Sequence, residues 1–410
     1  MPNLPRLPRV MTHVFPAASE YDQVYHRRLQ QRKIVFMSFG VTVAAALIAF
    51  IFRGNVLFTR AIHSANILKH KSYDVIEQLT VDEIEADVIV YRHKQTHTDI
   101  MTIVPRDTLQ DSVFGISFRT LPTSDNGAVH VLQRSVLDGS VHYPVKDPIH
   151  ELKKGSLQTY MNAETFEDRT LFAAASRNKV DFRNLVSVYL DAVFNPICVE
   201  NEGDWIFRQE GWRLERVDDI TRSLAFNGNT YNDMRGIYGD PDQLIHRYGR
   251  RALFGDTHYG FEAQGEPDEI LSLTRQEVLD TYDSFYHPTN AQAFFYGRIE
   301  TVRDGMDILD SHLRHYKPRF DLVQGSTPAW QERNMKGRAE EVHAFPSTHN
   351  HDNYQVVMSW LHNEDLMDYA TELKWKMIEQ LLVGTPTSAI SAALLNHPVI
   401  GSEVIGGLDA

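Results

Sequence analysis

Apolar positions recur with two different periods along this 410-residue chain, and the changes of period mark out its elements. The run 87–91 (Asp-Val-Ile-Val-Tyr) and the alternating run 113–119 predict strands, as do 291–297 and 354–361. Between 179 and 194, Phe182, Leu185, Val186, Tyr189, Leu190 and Val193 stand near the spacing of one helical face. Further helices are predicted from about Asn126, over 225–237, over 366–382 around Trp375, and over 389–395. The break Gly384-Thr385-Pro386-Thr387-Ser388 separates the last two. Thr274, with Glu277 three residues on, forms a capping box that opens another helix. The polar stretches 93–97 and 121–126 read as a turn and a loop. Strands and helices in this arrangement predict the α+β class.

The segment 34–52 has neither period. Its nineteen residues carry no charge and lie between Lys33 and Arg53. About 20 apolar residues span a bilayer as a helix. A secretory signal would be shorter and nearer the N-terminus. The preceding lead holds Arg6, Arg9, Arg27, Arg28, Arg32 and Lys33 against Glu20 and Asp22, which favours its retention on the matrix or cytoplasmic side. Arg53, Arg60, Lys69 and Lys71 beyond the span weaken that orientation signal. The expected organisation is a polar lead 1–33, a transmembrane helix 34–52, a connector 53–72, a first domain 73–318, a linker 319–340 rich in Pro, Gly and Ser, and the start of a second domain 341–410.

Composition narrows the function classes. A net charge of −13 with no basic stripe excludes a nucleic-acid partner. A single cysteine, Cys198, excludes an intrachain disulfide and fits a reducing setting as a buried, inert thiol. Phosphate-binding loops and nucleophile elbows are missing from the sequence.

The chemistry concentrates in the helix beginning near Asn126. Its residues His130-Val131-Leu132-Gln133-Arg134 have the frame of an inverted zinc motif, H-x-x-E-H. In that motif two imidazoles bind the metal and a Glu acts as general base. Here Gln133 stands at the Glu position, and an amide takes no proton from a metal-bound water. Arg134 stands at the second His position, with a fixed positive charge and no lone pair.

The flanks extend this motif into a family resemblance. They include Phe114-Gly115-Ile116-Ser117-Phe118-Arg119-Thr120, Lys154-Gly155-Ser156-Leu157, Asp168-Arg169-Thr170, Val188-Tyr189-Leu190-Asp191-Ala192-Val193-Phe194-Asn195-Pro196, Gln209-Glu210-Gly211-Trp212 and Tyr286-His287-Pro288-Thr289-Asn290. In order and spacing the chain resembles the presequence-protease (falcilysin-like) branch of the M16 metallopeptidases from about Tyr73 onward. The resemblance implies an M16-like (LuxS/MPP-like) domain with an antiparallel sheet and packed helices. It also implies that Asp233, in Tyr231-Asn232-Asp233-Met234-Arg235-Gly236, occupies the third-ligand position normally held by Glu. Asn162 and Ala163 match the family's substrate edge and could keep a vestigial peptide groove. His287 reads as a packing residue, and 349–352 as a solvated loop.

These readings lead to a pseudo-metallopeptidase with no metal or other cofactor, in which His130, Gln133, Arg134 and Asp233 are vestigial and Arg134 pairs with Asp233. The expected role is a structural or accessory subunit of a mitochondrial inner-membrane, respiratory-chain complex. Its partners would be the other subunits and the bilayer, through 34–52. A non-cleaving peptide-binding or regulatory module is the alternative, and an active metallopeptidase is the remaining one.

Overall fold

Strands form where alternate side chains can be buried on one face of a sheet, and Ser112–Arg119 shows why: Phe114, Ile116 and Phe118 are completely buried. The computed structural model describes residues 69–106, 111–217, 223–331, 341–345, 355–361 and 367–397. The expected span 34–52 and the loop 349–352 lie outside the described residues. Among those described, no helix is long and apolar enough to cross a membrane.

Residues 69–345, together with 357–359, belong to one unit, and 367–397 belong to another. The first unit is built on strands β1 (Tyr73–Val81), β2 (Ala86–His93), β3 (Asp99–Pro105), β4 (Ser112–Arg119), β5 (Gln158–Thr165), β6 (Arg169–Ser176), a separate hairpin of β7 (Arg213–Arg216) and β8 (Leu224–Asn227), and β9 (Ala291–Tyr296). The main sheet has the order β1-β2-β3-β9-β4-β6-β5. Its expected all-antiparallel character is corrected at one place. β9 inserts between β3 and β4, parallel to β3 and antiparallel to β4. Because β3 and β4 run in opposite directions, any strand placed between them must be parallel to one of the two.

The helices used below are α1 (Ala128–Ser135), α2 (Lys179–Phe194), α3 (Asp204–Glu210), α4 (Asn229–Ile237), α5 (Pro241–Phe254), α6 (Arg275–Phe285) and α7 (Ile299–Leu313). Helix α2 has the predicted bounds, and the Asn178 side chain accepts from the amides of Val180 and Asp181 at its start. It packs on β4 and β6 and against α7. Phe118, Phe172, Leu185, Tyr189, Met306 and Leu309 thereby enter one core. Each such side chain contributes about 1.5–3 kcal/mol of burial. Helix α1 packs against α3, α6 and β5 at the margin of that core.

Three further expectations are corrected. The helix expected over 225–237 is divided. Leu224–Asn227 pairs with β7 as a strand, and α4 begins only at Asn229. The segment 93–97 is not simply a polar turn. His93 ends β2 and is buried, with Nδ1 on Thr96 and Nε2 on Asp310. The strand expected over 354–361 is absent from its described residues 355–361, where no ladder partner appears. The linker region also contains a short helix, α8 (Phe320–Gly325). In the second unit, α9 (Tyr369–Leu382) starts three residues later than the spacing predicted, at the cap Asp368, and α10 (Ala389–Leu395) has the predicted bounds.

Candidate functional site

Two glycines bring the loop around Gln264 onto the start of α1. Gly127 (φ +70°) and Gly265 (φ +96°) both adopt the left-handed conformation. A Cβ added to Gly265 would lie 2.8 Å from the Gly127 Cα, so the two backbones meet where a side chain has no room. This approach places the Gln264 carbonyl 3.1 Å from His130 Nδ1. Burial outweighs that hydrogen bond, which acts in the opposite direction, and shifts the His130 imidazole below its ordinary pKa.

The Gln264 loop is held from behind by Arg247 on α5. Its guanidinium donates to Asp125 Oδ1 (2.6 Å), Glu266 Oε1 (2.9 Å) and the Gly260 carbonyl (2.9 Å). Asp125 also accepts from the Glu262 amide at 2.7 Å. Arg250 adds a bond to Glu262 at 3.0 Å and another to Glu167. Burial nevertheless raises the Glu262 carboxyl above its usual range.

One turn beyond His130, Arg134 lies between two other helices. Its Nε donates to Glu210 Oε2 on α3 at 2.7 Å, and its Nη1 donates to Asp233 Oδ2 on α4 at 2.8 Å. The direct contact with Asp233 is the one expected from sequence, but its environment is not. Asp233 is 55% exposed and Arg134 30%, whereas Glu210 is 5% exposed. The Asp233 arm is therefore solvent-screened and contributes little, about 0–1 kcal/mol. The Glu210 arm is the buried one. Gln133 is buried on the same helix.

Glu210 is the site residue that sequence reasoning missed. It was visible only as part of the Gln209-Glu210-Gly211-Trp212 flank. Its Oε1 accepts from Asn229 (2.5 Å) and Gln209 (3.0 Å), and its Oε2 accepts from Arg134. Asp138 lies beside it, and the Gln209 amide reaches that carboxylate at 3.3 Å. Burial first, then the Glu210 charge, pushes the Asp138 carboxyl up to about 7. Cys198 is buried, and burial pushes its thiol up to about 12, in line with an inert role.

Asn162 and Ala163 lie on the outermost strand β5, which pairs with β6 alone among the described strands and packs against α1. The Asn162 amide donates to Glu164 at 2.7 Å.

A catalytic zinc takes three protein donors and keeps one open position. The donor chemistry here does not fit that ion. Position 134 presents N–H donors and a positive charge, and Asp233 accepts from it. Among the described residues, no three of His, Cys, Asp or Glu gather as a metal-holding group.

Fold and site together belong to a known class. Residues 272–408 match the family model described as the peptidase M16 inactive domain. The chain belongs to the M16 peptidase family, in its presequence-protease-like branch. It is 34% identical over 345 residues to presequence protease 1, chloroplastic/mitochondrial, of Arabidopsis thaliana, covering 82% of this chain and 31% of that one. It is 31% identical over 346 residues to protein HypA of Clostridium perfringens, covering 83% and 34%. It is 30% identical over 361 residues to the mitochondrial presequence protease of Danio rerio, covering 86% and 34%. The chain thus spans about a third of the length of these curated relatives.

Proposed function

We propose that this chain is a catalytically inactive M16 peptidase-like protein, tethered to a membrane by residues 34–52, that serves as a structural or accessory subunit of a larger complex. The observation that carries this reading is the Arg134 guanidinium bonded between Glu210 and Asp233, at a position where the zinc motif requires a neutral imidazole. Gln133 removes the general base as well. The family-model description is compatible with inactivity, and its matched span 272–408 lies beyond α1, α3 and α4. Relatives named as mitochondrial presequence proteases support a mitochondrial location, and the uncharged segment 34–52 supports attachment to a membrane; the inner membrane and a respiratory-chain assembly are part of the proposal. The test is elemental analysis and peptide cleavage with the purified full chain, followed by native mass spectrometry of detergent extracts. Less than 0.1 zinc per chain (an order-of-magnitude threshold), no cleavage, and stoichiometric co-purifying subunits are expected. One zinc per chain or zinc-dependent cleavage overturns inactivity, and release of the full chain by carbonate washing overturns the tether.

A second reading, non-cleaving peptide binding, is favoured by one observation: β5 has a strand edge unpaired among the described strands, and it carries Asn162 and Ala163. Fluorescence polarisation with labelled extended peptides tests it, and no binding at tens of micromolar (roughly 6 kcal/mol) ends it.

A further inference from the structure

We infer that Arg134 is a built-in cationic cross-link, which makes the α1–α3–α4 junction independent of metal, with Glu210 rather than Asp233 as its principal anchor. The inference rests on the reading that this is not a zinc site and goes beyond it, because losing a metal does not by itself say what then holds the junction together.

Three helices meet here. Arg134 is near the end of α1, Glu210 is the last residue of α3, and Asp233 lies within α4. Glu210 is buried and its lone pairs are well used, but Asn229 and Gln209 supply neutral amide donors only. Its neighbour Asp138 is another carboxyl and adds no positive charge. Among the described residues, Arg134 is the cation bonded to Glu210. The guanidinium suits this role because its Nε and Nη1 edges reach different helices simultaneously, which a point-charge ammonium cannot do equally well. The arms also differ: withdrawing Arg134 strands a buried charge at Glu210, whereas Asp233 returns to water.

The test is thermal unfolding of the full chain in detergent, with and without EDTA, alongside its zinc content. The variants are Arg134→Met, Arg134→Lys, Glu210→Gln, Asp233→Asn and the double variant Arg134→Met with Glu210→Gln. EDTA should leave the wild-type midpoint unchanged. Arg134→Met should lower it by about 10 °C, the scale expected when a buried pair loses one partner in a unit of this size. Arg134→Lys should lose less, and Asp233→Asn at most about 2 °C. The double variant should recover part of the Arg134→Met loss, which a packing role alone would not produce.

An Arg134→Met midpoint within about 1 °C of wild type, equal losses for Asp233→Asn and Glu210→Gln, or additive losses in the double variant would overturn the cross-link while leaving inactivity standing. If Arg134→Met does not fold, Arg134→Lys and the Glu210→Gln against Asp233→Asn comparison still decide between the outcomes. A midpoint lowered by EDTA in zinc-containing wild type would overturn the inactive reading as well.

Discussion

Arg247→Met should loosen the structure behind His130 without touching His130 itself. The Arg247 side chain is 3% exposed, while Asp125, Glu262 and Glu266 are 11%, 13% and 23% exposed. Methionine approximates the aliphatic length of Arg247 but leaves these carboxylates without their central cation. Breaking a buried pair by removing one partner costs about 3–5 kcal/mol. Two neighbours reduce that here. Arg250 remains on Glu262 at 3.0 Å, and the half-exposed Arg251 lies 3.7 Å from Asp125 and 3.6 Å from Glu266. The lower end, about 3 kcal/mol, is therefore expected, or roughly 6 °C in the unfolding midpoint. The same change removes the donor to the Gly260 carbonyl, at one end of the segment that carries Gln264. Hydrogen exchange should quicken at the 262–266 amides, while the amides of α2 retain their protection relative to global stability. Adding Glu262→Gln should recover part of the loss. The reasoning is refuted if Arg247→Met shifts the midpoint by less than about 1 °C, or if exchange at 262–266 keeps the wild-type rate.

Two other perturbations test elements around the site. His287 accepts from the Thr289 amide through Nδ1, and burial, followed by the Arg319 charge, pushes its imidazole down to about 4. The unfolded chain then binds a proton first as pH falls, so stability is complete above the ordinary value of 6.5 and is lost between there and about 4, by at most about 3 kcal/mol. His287→Asn can still cap Thr289 but does not titrate, and should flatten urea midpoints measured from pH 7.5 to 4.5; equal acid losses in both proteins would rule the assignment out. At the head of α6, the Glu277 amide donates to Thr274 Oγ1 and the Thr274 amide donates to Glu277. Thr274→Ala should cost about 1 kcal/mol in urea unfolding and Thr274→Ser much less, and equal costs would contradict a capping role.

The sequence by itself determined features whose causes are local. The bounds of α2 followed from apolar spacing within a single helix, and the start of α6 from a hydrogen-bonded exchange over four residues. The replacements Gln133 and Arg134 within the His130 frame were likewise readable, because a motif's donor types are a property of the chain. Position 233 could be assigned as the counterpart of Arg134, and the two side chains do meet. Tertiary structure decided what depends on distant segments. β9 enters the sheet between β3 and β4 although it follows β4 by more than 170 residues, and no local pattern records that neighbour. Leu224–Asn227 is a strand because β7 supplies its ladder, while the strand expected at 354–361 has no described partner. Arg134 itself could be named from sequence, but its buried partner could not. Glu210 lies 76 residues away and is buried, whereas Asp233 is largely exposed, and burial decides which carboxylate cannot give up its cation.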